Sequence, residues 1–221
     1  MKAFLRAIFI IIKKLVPLWS GLIFPQRCVG CGVVDIGLCL SCSEKLGEMC
    51  TSGEMVIDGF QVFFAARHSK LLRNILHQCK YTSDQSLVET LGILLAKRMQ
   101  NISLARDSYD IIPIPLHRRR ERERGFNQSE LLARVVSREM GWRVVNLLER
   151  NRETRAQARL SRVERIENVK GAFVIKDGFI PKVVFVLDDV ITTGSTFREC
   201  AKVLKEAGVE RVYGIMLAHG L

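Results

Sequence analysis

The stretch VFVLDDVITTGST, Val184 to Thr196, decides how the rest of the chain is read. With Lys182 and Val183 before it, its opening is an apolar run, KVVFVL, short enough for a buried strand. Two adjacent aspartates, Asp188 and Asp189, close that run. Hydroxyl residues and one glycine follow, and then a helical pattern, STFRECAKVLKEAG, with glycine at its end. In an open parallel sheet ligands bind outside the carboxyl ends of the strands, where this order of residues places the doublet.

Two neighbouring carboxylates are costly to ionise together unless each finds donors or a cation. A ribose supplies two adjacent hydroxyl donors, and Mg²⁺ supplies charge. Thr192, Thr193, Ser195 and Thr196 add hydroxyls at a helix start whose free backbone N–H groups favour an anion, and Gly194 lets the backbone come close. A Walker A loop would carry a lysine for a polyphosphate, and this loop has none. The combination matches one phosphate beside a diol, a 5-phosphoribosyl group. A capped, solvated turn explains an acidic doublet alone but not all thirteen residues, and a receiver-type acidic pocket belongs to a first strand, not a penultimate one.

Working outward, YDIIPIPL reads as a buried strand delivering a loop, and GAFVI and VYGIMLA as further strands. FQVFFAARHS reads as a strand, KLLRNILHQCKY as a helix with Leu71, Ile75 and Leu76 inward, and Gln85 to Met99 as a second helix. HRRRERERG is expected as a charged loop before a helix from Asn127 to Met140, and Val144 to Leu148 as another strand. Glu149 to Lys170 lacks an apolar stripe and is expected as a charged excursion. Alternating strands and helices imply an α/β fold, a mostly parallel sheet flanked by helices.

The 221 residues allow one such domain with a small appendage. With 48% hydrophobic and 26% charged residues, a disordered chain or one mainly embedded in membrane is excluded. The formal net charge is +11, and between His117 and Lys170 fifteen basic residues face eight glutamates. That surplus favours an anionic partner: a phosphorylated small molecule or a nucleic-acid backbone. Aromatic residues are sparse there (Phe126, Trp142, Phe173), which disfavours a pure base-stacking platform.

Four of the seven cysteines fall in CVGCGVVDIGLCLSC, pairing Cys28 with Cys31 and Cys39 with Cys42. Two CxxC pairs suit a tetrahedral Zn²⁺ in a reducing, cytoplasmic setting better than a disulfide framework, with a redox dithiol as the alternative. Cys50, Cys79 and Cys200 read as small buried apolar residues. Three regions result: an amphipathic helix over 1–25, a four-cysteine zinc-binding module over 26–52 and the α/β domain over 53–221. The longest uncharged apolar run of the first region, Ala7 to Ile12, is too short to span a bilayer, leaving self-packing, a partner subunit or peripheral membrane contact, with a signal peptide as the alternative that Lys13 and Lys14 argue against.

VFVLDDVITTGST resembles the phosphoribosyl pyrophosphate signature of type I phosphoribosyltransferases. Together with CVGCG…LCLSC, PIPLHRRRERERGFNQSELLA and TRAQARLSRVERIENVKGAF, in that order, it resembles the ComF family of competence proteins from Phe24 onward. The resemblance implies a type I phosphoribosyltransferase-like fold in which Asp188 and Asp189 bind the ribose hydroxyls and Thr192, Thr193, Gly194, Ser195 and Thr196 hold the 5-phosphate. It also implies that PIPLHRRRERERGFNQ holds pyrophosphate with Mg²⁺, beneath a hood formed by the segment around Arg162. Arg118, Arg124 and Arg162 coincide with the family pattern and are assigned to pyrophosphate or DNA phosphate. The implied role is DNA uptake in natural transformation, with single-stranded DNA and a helicase-like competence protein as partners. The alternatives are an active phosphoribosyltransferase of nucleotide metabolism and a DNA-binding factor with a vestigial site.

Overall fold

The computed structural model describes residues 27–34, 37–67, 69–81, 85–102, 108–154 and 161–220. The amphipathic helix expected over 1–25 lies outside them. Their helices are α1 (Leu40–Met49), α2 (Lys70–Tyr81), α3 (Gln85–Met99), α4 (Arg118–Arg124), α5 (Gln128–Met140), α6 (Arg162–Val169) and α7 (Ser195–Glu206). The strands are β1 (Gly53–Ile57), β2 (Phe60–Arg67), β3 (Asp110–Pro113), β4 (Arg143–Val144), β5 (Leu148–Arg150), β6 (Phe173–Ile175), β7 (Val183–Ile191) and β8 (Arg211–His219).

Among the described residues the main sheet has the order β1-β2-β8-β7-β3-β4. Every neighbouring pair in it is parallel except the β1–β2 hairpin. The α/β architecture with a mostly parallel sheet is therefore as the sequence implies. The period-2 alternation of β7 splits its side chains between two layers. Phe185 and Leu187 join the core built by α2, α3 and α5, and Val184 and Val186 join the one under α7. Gly92 lets α3 meet α5, since a Cβ there would sit 2.5 Å from Cβ of Val135.

Three local elements depart from expectation: RRRERER, the charged excursion, and the strand expected over Val144 to Leu148, which divides into β4 on the main sheet and β5 on the small one. The hairpin turn is Asp58-Gly59, both at positive φ, a pairing suited to a tight two-residue turn. RRRERER is a helix, not a loop. His117 accepts from the Arg119 amide at its start, Gly125 ends it in the left-handed conformation, and Arg119 pairs with Glu123 one turn on. The charged excursion contains α6, started by a capping box in which Ser161 and Glu164 satisfy each other's amides. The antiparallel pair β5–β6 lies beside it.

Candidate phosphoribosyl site and cysteine centre

Strand β7 runs through the acidic doublet, with Asp188 opposite Met216 and Val190 opposite Ala218 on β8. The carboxylates are thus mounted on a central, doubly paired strand. Asp188 Oδ1 accepts from the Ser129 hydroxyl at 2.7 Å and from the Asp189 amide at 2.9 Å. Asp189 Oδ1 takes the Val190 amide at 2.8 Å, and its Oδ2 pairs with the Lys80 ammonium at 2.8 Å. Burial, followed by the neighbouring Asp189 charge, pushes the Asp188 pKa up to about 7 against the pull of these donors and Lys80.

The loop after β7 folds over itself. Gly194, at φ +72, caps α7, and a Cβ there would lie 2.6 Å from Ile57 at the end of β1. The loop borders a depression of about 20 Å³, lined by Thr192 to Thr196, which suits one phosphate oxygen. Arg165 on α6 donates to the Thr192 hydroxyl at 3.0 Å, tying α6 to this loop.

Both features open on a cleft of about 400 Å³. Its walls bring Lys80 from α2, Arg120 and Arg124 from α4, Arg150 from β5 and Arg165 from α6 around Asp188 and Asp189. Gln128 also lines it, 2% exposed, with neither amide atom hydrogen-bonded, between Asn127, which caps α5, and Ser129, which holds Asp188. Arg150 is similarly buried: its guanidinium bonds the Thr154 hydroxyl and lies 5.2 Å over the Phe173 ring, while its Nε has no partner. Unsatisfied buried polar atoms are uncommon, and two residues carrying them in one cleft point to a ligand.

Of the arginines assigned to phosphate, Arg124 lines the cleft. Arg118 lies in a separate surface depression, 78% exposed and paired with Glu149 at 2.8 Å. The side chain of Arg162 lies outside the described residues. Lys80, Arg120, Ser129, Gln128, Arg150 and Arg165 were not singled out by sequence. The motif PIPLHRRRERERGFNQSELLA contains Arg120, Gln128 and Ser129, and TRAQARLSRVERIENVKGAF contains Arg165; Lys80 and Arg150 lie in neither.

The sulfur atoms of Cys28, Cys31, Cys39 and Cys42 lie within 4.8 Å of one another. Cys31 and Cys39 are 3.7 Å apart, close to the ~3.8 Å edge of a tetrahedron with Zn–S bonds of about 2.3 Å. Burial works against a Cys28 thiolate, but the amides of Cys39, Cys31 and Gly30 outweigh it and lower the pKa to about 6. Burial and the neighbouring thiols push Cys42 up to about 12. One thiolate formed in advance beside reluctant thiols is a set that a divalent cation completes, so the residues fit Zn²⁺. Zinc added to chelator-treated protein at pH 7 is expected to bind at one ion per chain and release protons into a weakly buffered indicator dye. Cys42→Ser should lower the affinity at least a hundredfold, and no proton release would contradict the site.

Among the described residues no helix is long and apolar enough to cross a membrane. An α/β sheet with an acidic doublet and a hydroxyl-rich loop at its carboxyl edge, joined to a four-cysteine cluster, defines a type I phosphoribosyltransferase-like protein. The chain is 30% identical over 226 residues to competence protein F of Haemophilus influenzae, covering 86% of this chain and 95% of that one. It belongs to the ComF family of competence proteins. It is also 32% identical to competence protein ComFC of Streptococcus pneumoniae, over 66% of this chain and 62% of that one. With the DNA utilization protein YhgH of Escherichia coli O6:H1 it shares 34% identity over 66% of each. No family model matches. Orotate phosphoribosyltransferase from Aeropyrum pernix overlaps with a TM-score of 0.34 and 17% identity, over 79% of this chain and 76% of that one, too remote to bear on function.

Proposed function

We propose that the chain binds a 5-phosphoribosyl ligand, phosphoribosyl pyrophosphate with Mg²⁺ or a nucleotide, in the cleft at the end of β7, and that it serves DNA uptake from the cytoplasm. The observation that carries this reading is the meeting of a carboxylate pair, a hydroxyl loop and five cationic side chains around one space of about 400 Å³. The aspartates would accept the ribose 2′- and 3′-hydroxyls, and the loop from Thr192 to Thr196 would hold the 5-phosphate. Arg120, Arg124, Arg150 and Arg165 would face the pyrophosphate. Several of the carboxylate lone pairs already serve Lys80, Ser129 and backbone amides, so Mg²⁺ would arrive on the ligand's phosphates and supply charge there. Where transfer follows, holding C1 and stabilising the leaving charge would provide the catalysis more than a dedicated base.

The role in DNA uptake is supported by the names of the relatives, competence and DNA utilization proteins. Single-stranded DNA would meet the surplus of basic residues, but α4 contributes less than its sequence suggests, because Arg118 and Arg119 are spent on Glu149, Glu123 and Glu153.

Calorimetric titration of phosphoribosyl pyrophosphate with Mg²⁺ is expected to give micromolar binding to the native chain. In the Asp188→Asn, Asp189→Asn double variant it should be lost. The same affinity in both proteins would remove the reading.

A further inference from the structure

We propose that helix α2 is a strut that carries the state of the four-cysteine centre into the phosphoribosyl cleft, with Lys80 as its contact on Asp189. The inference deepens the reading above and rests on it for the identity of the ligand.

The two ends of the helix do different work. At its start, Leu71 meets the cysteine knuckle at Gly30. A Cβ on that glycine would lie 3.2 Å from Leu71 Cδ1 and 2.6 Å from Cys42 Sγ. Glycine there is what allows α2 to touch the knuckle next to the metal-binding sulfur atoms. Along its length Leu72, Ile75, Leu76 and Cys79 share one continuous core with Cys28, Cys39, Cys42 and Leu46. A second tie runs from α3, where the Arg98 guanidinium donates to the carbonyls of Gly47 and Cys50 at the end of α1, at 3.0 and 3.1 Å.

At the far end, nine residues and about 14 Å on, the Lys80 ammonium sits 2.8 Å from Asp189 Oδ2, the lysine side chain 32% exposed and the aspartate 15%. Arg124 repels Lys80 within the same cleft, so the aspartates hold it in place. Lys80 lies outside the segments that resemble the phosphoribosyl signature, yet it touches the carboxylate expected to meet the ribose. It is a positioning residue. It fixes the rotamer of Asp189, whose Oδ1 is engaged by the Val190 amide, so the pair faces the ligand already oriented.

A helix packed this closely moves as a rod. Metal held by the four cysteines fixes the knuckle, the knuckle fixes Leu71, and the rod fixes Lys80. Loss of metal frees the first turn, and a shift of about an ångström at the last turn breaks a 2.8 Å contact. Ligand affinity in the cleft is thereby coupled to metal occupancy more than a dozen ångströms away, and the coupling is reciprocal.

The test is a cycle on the full chain. Phosphoribosyl pyrophosphate with Mg²⁺ is titrated into zinc-loaded and zinc-stripped protein, each with Lys80 native or replaced (Lys80→Ala). Stripping is expected to weaken binding about tenfold in the native chain. Lys80→Ala should weaken it to a similar degree and remove the response to metal, and Lys80→Arg should restore part of that response. Leu71→Ala, with zinc retained, should mimic stripping without touching a sulfur ligand. An equal metal effect with and without Lys80 would overturn the strut.

Hydrogen exchange at the Asp189 and Val190 amides supplies a readout that needs no ligand, since both donate to the aspartate pair. Stripping, Lys80→Ala and Leu71→Ala should each speed exchange at these amides. Unchanged exchange in all three would overturn the strut. Absence of ligand binding to the zinc-loaded native chain would instead defeat the phosphoribosyl reading and leave the exchange result to decide the mechanical one.

Discussion

Replacing Asp188 with asparagine is expected to stabilise the unliganded protein while abolishing its affinity for a phosphoribosyl ligand. Burial and the charge on Asp189 raise the Asp188 pKa from an ordinary 3.8 to about 7. The folded state therefore keeps a proton that the unfolded state gives up. Stability from this group is fully present below about pH 4 and is lost as the pH rises to about 7, where the native carboxylate finally ionises. A shift of about three pKa units corresponds to about 4 kcal/mol. Asparagine keeps the shape and can still accept from Ser129, so at about pH 8 the variant should melt about 8–16 °C above the native chain. At about pH 4 the two melting curves should coincide. A variant less stable than the native protein at the higher pH would mean that Lys80 and the neighbouring guanidiniums already compensate the carboxylate. The expected trade of stability for binding is the behaviour of a site that retains strain for a ligand to relieve.

The fold class was legible because its information is local. An apolar strand, a doublet, a hydroxyl loop and a helix follow one another in thirteen residues, and the same stretch contains Asp188, Asp189 and the loop from Thr192 to Thr196. The α4 helix was not legible from hydrophobic periodicity, since RRRERER has no apolar stripe; its signals are the capping His117 and the terminating Gly125. For α6 the signal was Ser161 followed three residues later by Glu164, and for the first hairpin it was Asp58-Gly59. The cations of the cleft are a different case. Lys80, Arg120, Arg150 and Arg165 come from four separate elements, and nothing in their local sequence distinguishes them from Arg118 or Arg119, which face glutamates. Only the packing of α2, α4, β5 and α6 around the end of β7 sorts the arginines into those that line the cleft and those neutralised outside it.

That sorting carries a second large effect, at Arg150. The residue is 6% exposed, and burial, with help from the nearby Arg120, lowers its pKa. Its hydrogen bond to Thr154 and its place over Phe173 offset part of the desolvation, but its Nε stays unpartnered. A buried cation held this way costs stability unless an anion completes it. Arg150→Met retains the length and the contact with Phe173 while removing the charge. It is expected to leave the unliganded chain as stable as the native one or more stable, by about 1–4 kcal/mol, and to weaken phosphoribosyl pyrophosphate about a hundredfold or more. The exposed Arg118 supplies the control. Arg118→Met breaks one surface pair with Glu149 and should change stability by less than about 1 kcal/mol and affinity by less than about threefold. Thermal unfolding and ligand titration on the two variants separate the alternatives, because a loss confined to Arg118 would place the phosphate track on the outer face of α4, equal losses would extend it over both surfaces, and a loss confined to Arg150 would place it in the cleft. Since Asp188 attracts Arg150 across that cleft, the stabilising effects of Asp188→Asn and Arg150→Met should exceed the sum when combined, because each single substitution forfeits their attraction and the double forfeits it only once.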